Sequence, residues 1–214
     1  NRIIDRFAAL GAGAAASAEE IALALSKVAP SAKAAGIEID TMMAFLTKGI
    51  ETTREAPENI GTAFKTIIAR MRQLKDIGVT TEDGMSFNKV DTALKHIGVS
   101  LTDANNQFRD LDDVLIDVGN KWKYLDRNTQ AYLATAMAGT RQQSRLHAVM
   151  NDFPRTLELI TESQNSAGVA ALQHQAYMEG LEAAMTNLQT TWQTFITSIS
   201  NSESIIGLIR TVTG

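Results

Sequence analysis

The chain has 214 residues, enough for one large domain or two small ones, and its 44% hydrophobic and 21% charged residues are ordinary for a globular protein. It has no Cys, which excludes a disulfide framework, a thiol nucleophile and a thiolate metal site. The net charge of −4 does not indicate non-specific electrostatic binding to nucleic acid. No apolar run reaches the roughly 18–20 residues needed to cross a bilayer.

The first third of the chain predicts helices with recognisable ends. Residues 8–18, rich in Ala and Gly, are predicted to form a mobile connector rather than a site of close helix packing, because glycine weakens a helix. Ser17 and Glu20 have the spacing of a capping box, so a helix should start there, and Gly36 should end it. Asp40 is predicted to be the N-cap of the next helix.

A further helix is predicted from Pro57, which suits a first turn, with an apolar stripe running from Ile60 to Leu74. The basic residues around this stripe are predicted to be a solvated face rather than a phosphate site. The helical period fades after Ile77. Short alternating segments then flank the sequence TDANN, which predicts one small β-hairpin at residues 99–109.

Helix should return at Asp110 and continue through Met137, with a second helix joined to it at Ala138-Gly139-Thr140. Pro154 should break the run that follows. We therefore expect a mainly α fold, a multi-helix bundle with one small β-hairpin and a long C-terminal helix.

The last part of the chain has a heptad pattern, with apolar positions separated alternately by three and four residues. This pattern predicts a seam about four heptads long, or roughly 40 Å of helix. It leaves two alternatives open, a coiled coil or the core face of a helix within a bundle. The seam residues are Ala171, His174, Met178, Leu181, Met185, Leu188, Trp192, Phe195 and Ile199.

No constellation in the sequence predicts catalysis, a metal or a cofactor. His96, His147 and His174 stand far apart and outside any ligand spacing. The acidic cluster at residues 110–117 lacks the spacing of a calcium loop and is better explained by the positive end of a helix dipole. Arg141 and Arg145 are helical neighbours, expected to be exposed or internally ion-paired rather than an anion site.

Several blocks, in order, resemble the tape measure proteins of long-tailed bacteriophages over about residues 17–165. They are AKAAGIEID, IGTAFKTIIARM, LKHIGVSLTDANNQFRDLDDVL and AMAGTRQQSRLHAVM, the last resembling the most distinctive block of that family. The family commonly has Asn-Gly or another Gly-containing turn where this chain has Asn105-Asn106. Asn105-Asn106 can still form a turn without glycine, because Asn tolerates a positive φ.

The resemblance implies a structural protein that sets tail length during assembly and is expelled ahead of the genome. It implies a virion location in the tail lumen or tip, and the host cytoplasm during assembly. The implied partners are copies of itself, as a trimer or hexamer, and the tail tube, tail-tip and tail chaperone proteins. No enzymatic activity, cofactor or specific nucleic-acid binding is expected. Contact with a membrane is expected only during genome ejection, if at all.

Two other functions stay open from the sequence: a cellular helical adapter or secreted coiled-coil module, and a part of a cell-wall-degrading virion protein. Residues 1–166 are predicted to be a compact helical domain and residues 167–214 a long helix that continues further. The chain starts at Asn1 and stops just after an apolar stretch, so we expect it to be a piece of a longer polypeptide.

Overall fold

The computed structural model describes residues 2–72, 87–105 and 107–169. In these ranges the chain forms helices joined by short links, without a strand. The helices are α1 (Arg2–Gly13), α2 (Ala18–Ala34), α3 (Ile39–Thr53), α4 (Pro57–Met71), α5 (Phe87–His96), α6 (Leu111–Trp122), α7 (Arg127–Met150) and α8 (Phe153–Gln164). The prediction of a mainly α fold is confirmed.

Several predicted helix ends are confirmed by their local hydrogen bonds. The Ser17 hydroxyl accepts from the Glu20 N–H at 3.2 Å, and the Glu20 carboxylate accepts from the Ser17 N–H at 2.7 Å, which completes the capping box of α2. Gly36 follows the end of α2 with a positive φ of 67°. Pro57 and Pro154 lie in the first turns of α4 and α8, where their missing N–H groups cost no helical hydrogen bond.

The prediction of a mobile connector at residues 8–18 is wrong. Most of that segment belongs to α1, in which Phe7, Ala8 and Leu10 are fully buried. Burial of this apolar face offsets the low helix propensity of Gly11 and Gly13.

The predicted N-cap at Asp40 is also wrong. Glu38 is the N-cap residue of α3, and Asp40 lies inside the first turn, where its side chain is buried. Its carboxylate is used in tertiary hydrogen bonds instead of a cap.

The predicted β-hairpin at residues 99–109 does not form. In the part of this segment that the structure describes, a single isolated bridge joins Thr102 and Phe108. The Asp103 carboxylate accepts from the N–H groups of Asn105 and Gln107, at 2.8 and 2.9 Å. Backbone hydrogen bonds from the Asp103 N–H to the Gln107 carbonyl and from the Arg109 N–H to the Leu101 carbonyl, at 2.8 and 3.0 Å, flank the bridge. Among the described residues of this segment, the pairing does not extend into strands.

Helix α3 lies at the centre of the bundle. Every residue from Asp40 to Ile50 is buried, because α2, α4, α7 and α8 all pack around it. Phe45 makes edge-to-face contacts with Phe64 on α4 and Phe153 on α8, at centroid distances of 5.9 and 6.2 Å. The core thus joins residues from α1 through α8 in one hydrophobic cluster.

Helices α2 and α4 approach closely at Gly61. A Cβ at this position would lie 2.2 Å from the carbonyl oxygen of Ala24, far inside van der Waals contact. The neighbour is backbone and cannot rotate away. Glycine in the block IGTAFKTIIARM is therefore required by the spacing of these two helices.

The predicted joint at Ala138-Gly139-Thr140 is confirmed as a kink within α7. Gly139 has φ 73° and ψ 167°, a conformation nearly restricted to glycine. Across it, the Thr135 hydroxyl donates to the Gln143 side-chain oxygen at 3.0 Å. The expected continuity from Asp110 to Met137 is wrong, because α6 ends at Trp122 and Asp126 caps a new helix.

Candidate interaction site

Helix α3 has a polar stripe although it is buried. Asp40, Thr47 and Glu51 are related by i, i+7 and i+11 spacing, so they share one side of the helix, and Lys48 lies beside them. Because buried charges are costly without partners, this stripe must be matched by polar groups on the helices packed against it. The groups that match Asp40 and Lys48 come from α1, from α8 and from Asp152 just before α8, whereas the Thr47 hydroxyl donates to the Met43 carbonyl of its own helix.

Asp40 joins three helices through its carboxylate. The Arg6 guanidinium on α1 donates to both carboxylate oxygens, at 2.7 and 2.9 Å. The Ser163 hydroxyl on α8 donates to Oδ1 at 2.5 Å, and Ser163 is fully buried. A two-pronged Arg–carboxylate bond fixes both distance and orientation, so the start of α3 is held against α1 and the end of α8.

Lys48 holds the other end of α8. Its ammonium lies 2.7 Å from the Asp152 carboxylate, just before α8, and 3.8 Å from Glu51 on its own helix. The Lys48 side chain is only 7% exposed, so these carboxylates supply the compensation that its burial requires.

Arg155 completes the contact between α8 and α1. Its guanidinium donates to the Glu162 carboxylate at 2.8 Å, to Glu158 at 3.1 Å and to the Gly13 carbonyl at 2.8 Å. The hydrogen bond to Glu162 raises the pKa of Arg155 although partial burial opposes the shift. We call the set Arg6, Asp40, Lys48, Asp152, Arg155 and Ser163 the α8 anchor.

The predicted arginine pair is divided by the fold. Arg145 bonds the Glu55 carboxylate, with its Nε at 3.0 Å, and also donates to the Arg141 carbonyl and the Gln142 side chain. The internal ion pair expected for this block is thus confirmed at Arg145, whereas Arg141 is exposed.

The acidic cluster lies at the start of α6, as predicted, and one of its members has a tertiary role. The Asp112 carboxylate accepts from the Glu38 N–H at 3.0 Å, so it binds the N-terminal end of α3. Burial raises the pKa of Asp112, with the charges of Asp113 and Asp110 adding to the effect, while hydrogen bonds from Thr41 and Glu38 oppose it. Asp117 is paired with Arg109 at 2.8 Å.

The histidines lie apart from one another. His96 is exposed at the end of α5, and His147 packs edge-on against Trp122 at a centroid distance of 5.3 Å. Across the described residues, no three His, Asp or Glu side chains are placed to hold a metal ion. Within those same ranges, no helix combines the length and hydropathy needed to span a membrane.

The nine predicted seam residues, from Ala171 to Ile199, lie outside the described residues, so the seam stays a prediction. The sequence analysis missed the α8 anchor. A usable signal was present, because Asp40, Thr47 and Glu51 recur at helical spacing on either side of the apolar run from Met42 to Leu46. The partners of Asp40 and Lys48, on α1, on α8 and just before α8, are 34 to 123 residues distant in sequence, so periodicity alone could not identify them.

The family model described as "Phage-related minor tail protein" matches residues 1–139, from before α1 to the kink at Gly139. The match begins before residue 17, where the resemblance to tape measure proteins starts, and it ends inside the block AMAGTRQQSRLHAVM. The comparison with solved structures found no match to the chain. Because the match covers more than half of the chain, this protein belongs to the phage-related minor tail protein family.

Proposed function

We propose that the chain is a segment of a tape measure protein, which sets the length of a phage tail and leaves the tail ahead of the genome. Membership of the minor tail protein family supports a structural role in the virion. The narrower assignment depends on the ordered blocks from AKAAGIEID to AMAGTRQQSRLHAVM. The partners would be copies of the chain and the tail tube, tip and chaperone proteins.

The α8 anchor is the observation that best supports a mechanical role. Both ends of α8 are bonded to α3, by the Lys48–Asp152 ion pair and by the hydrogen bond from Ser163 to Asp40. Arg155 on α8 also reaches α1, so α8 is fixed on the body of the bundle. A segment continuing from α8 would therefore start from a defined position. This is what a ruler that joins a folded body to an extended helix requires.

The ruler is tested in the parent gene by in-frame deletions of flanking helical rod. A helix advances about 1.5 Å per residue, so electron micrographs should show tails shortened in proportion to the deletion. A matched insertion of rod should lengthen them. Tails of unaltered length in both mutants would contradict the assignment.

Deletion of residues 1–214 from the parent gene tests whether the helical bundle itself is needed for infectious particles. A folded body spans less length per residue than a rod, so we expect defective or non-infectious particles rather than neatly shortened tails. Fully infectious particles of normal appearance would show that this region is dispensable.

We also propose that the chain is not an enzyme. Asp40 and Asp152 of the α8 anchor, and Glu162 beside it, are each engaged by a cationic side chain, the arrangement of structural ion pairs. A zymogram on peptidoglycan should show no clearing with the purified chain. A cleared band that survives refolding controls would instead identify a cell-wall hydrolase.

A further inference from the structure

A half-open cleft lies between the start of α1, the second half of α2 and the start of α3. It has a volume of about 470 Å³, within the range of pockets that take up apolar groups. Its aliphatic walls include Leu25, Ala32 and Met42, which are nearly fully buried, and Ile3 and Ile39, which are partly buried. We call it the α1–α3 cleft.

The last turn of α8 lies next to a wall of this cleft. Ser163 donates to the Asp40 carboxylate, which also accepts from Arg6, a residue of the cleft wall. Near the start of α8, Arg155 donates to the carbonyl of Gly13 at the end of α1. Helix α8 therefore runs antiparallel to α1, and it carries the chain toward the start of α1, where the cleft lies.

Beyond α8 the chain turns and stays on the bundle. Ser166 is only 4% exposed, and its N–H donates to the Ser163 carbonyl at 3.3 Å. The Ser166 carbonyl accepts from the Val169 N–H at 3.0 Å, and Val169 is half-buried. Gly168 has a positive φ of 85°, a conformation that does not continue a helix. The chain therefore does not run on from α8 as a straight rod, and at Val169 it still lies against the protein.

The heptad seam, outside the described residues, follows this turn directly. Its positions 178 and 181 are Met178 and Leu181, two long aliphatic side chains on one side of a helix. Met178 follows Val169 by nine residues, about 14 Å of helix. A segment tethered by so short a link has an effective concentration in the millimolar range, far above that of a second copy in dilute solution. The chain's own continuation is therefore the favoured occupant of the cleft.

We propose that residues 171–185, the first part of the seam, dock on the α1–α3 cleft of the same chain, with Met178 and Leu181 inserted between its aliphatic walls. Removal of these two side chains from water stabilises the docked segment. The flexible Met178 suits a cleft of irregular shape. The later seam positions, from Leu188 on, are then left to pack helices of different copies. This docking is independent of the ruler function.

The test uses pairs of introduced cysteines, which report proximity without background because the chain has no Cys. Ile39→Cys is combined in the 214-residue chain with Met178→Cys or Leu181→Cys and treated with a short bifunctional maleimide. We expect a cross-linked monomer, identified by gel mobility and by mass spectrometry of the linked peptides, with a yield that does not depend on protein concentration. Lys33→Cys, at an exposed position of the cleft wall, replaces Ile39→Cys in a second set that does not alter a partly buried side chain.

Two controls define the face and the place of docking. Ala183→Cys lies on the side of a helix opposite Met178 and Leu181, so its yield with Ile39→Cys should be several-fold lower. Lys27→Cys, exposed on α2 and outside the cleft wall, should give a similarly low yield with Met178→Cys. Cross-linked dimers as the main product would overturn the proposal, because the cleft would then hold a second copy. So would yields for Met178→Cys and Leu181→Cys no higher than those of the controls.

Discussion

Asp40 shows how one side chain can join distant parts of the chain. Its carboxylate accepts from Arg6 and Ser163 while its own side chain is only 10% exposed. Such a group is stabilising only while its partners are present, because removal of one charge leaves the other poorly solvated. Its position within α3 is therefore a tertiary requirement and not a local one.

Asp40→Ala should lower the free energy of unfolding by about 2–4 kcal/mol, because Arg6 and Ser163 lose their acceptor. Chemical denaturation followed by circular dichroism measures the change. The double variant Arg6→Met with Asp40→Leu should recover part of the loss, since it contains neither charge. Glu158→Ala is the control, because Glu158 is 65% exposed in its ion pair and its loss should cost less than about 1 kcal/mol. A loss for Asp40→Ala no larger than that of the control would contradict this account.

Asp112 makes a small contribution to the pH dependence of stability. Burial raises its pKa, so the folded chain binds this proton more tightly than the unfolded chain. The corresponding stabilisation is complete below the unfolded pKa and is lost as the pH rises through the folded pKa. At neutral pH the Asp112 carboxylate stays charged. Its partial burial then lowers the stability of the folded chain, because the charge is less well solvated than in the unfolded chain.

Asp112→Asn should therefore be at least as stable as the wild type at neutral pH, since its amide oxygen can still accept from the Glu38 N–H. The advantage should disappear near about pH 3, where the wild-type carboxyl is protonated. Unfolding midpoints at both pH values measure the difference. Asp113→Asn, in the same turn but exposed, is the control. If the stability advantage of Asp112→Asn grew in acid, the pKa of Asp112 would be lowered by folding and not raised.

At the scale of elements, α7 is defined by its kink. The two arms need not share an axis, because Gly139 replaces the helical backbone conformation with one that other residues rarely adopt. The arm after the kink then brings Arg145 to Glu55, in the link between α3 and α4. The block AGTRQQSR thus combines a bend with the ion pair that fixes its direction.

Gly139→Ala should destabilise the chain by about 1–3 kcal/mol, because a Cβ is strained at this φ and ψ. Differential scanning calorimetry should show a lower melting temperature. The neighbouring variant Thr140→Ala, at an exposed position, should melt close to the wild type. Equal melting temperatures for the two variants would mean that the kink relaxes into ordinary helix without cost.

At the scale of the whole molecule, the heptad seam from Ala171 to Ile199, outside the described residues, remains the predicted site of helix association. We expect it to pack helices, either between copies or against the bundle, because its apolar positions follow the heptad without a break. Leu188→Asp should lower the melting temperature or shift the sedimentation coefficient, since it places a carboxylate without a partner in that seam. Gln189→Asp, one residue off the seam, is the matched control. If both variants behave as the wild type in both measurements, the seam is exposed.

The helical class, the capping box at Ser17, the helix end at Gly36 and the joint at Gly139 could all be predicted from the amino-acid sequence, because each depends on neighbours within a few residues. The sequence also supplied the blocks that indicated a phage tail protein, a class in which the family match places the chain. Three features became evident only in the folded protein: the helix α1, the isolated bridge within residues 99–109, and the binding of Asp40 to α1 and α8. Those outcomes depend on burial against helices far away in sequence. Periodicity describes which face of a helix is apolar, but it does not identify the helix that will cover it.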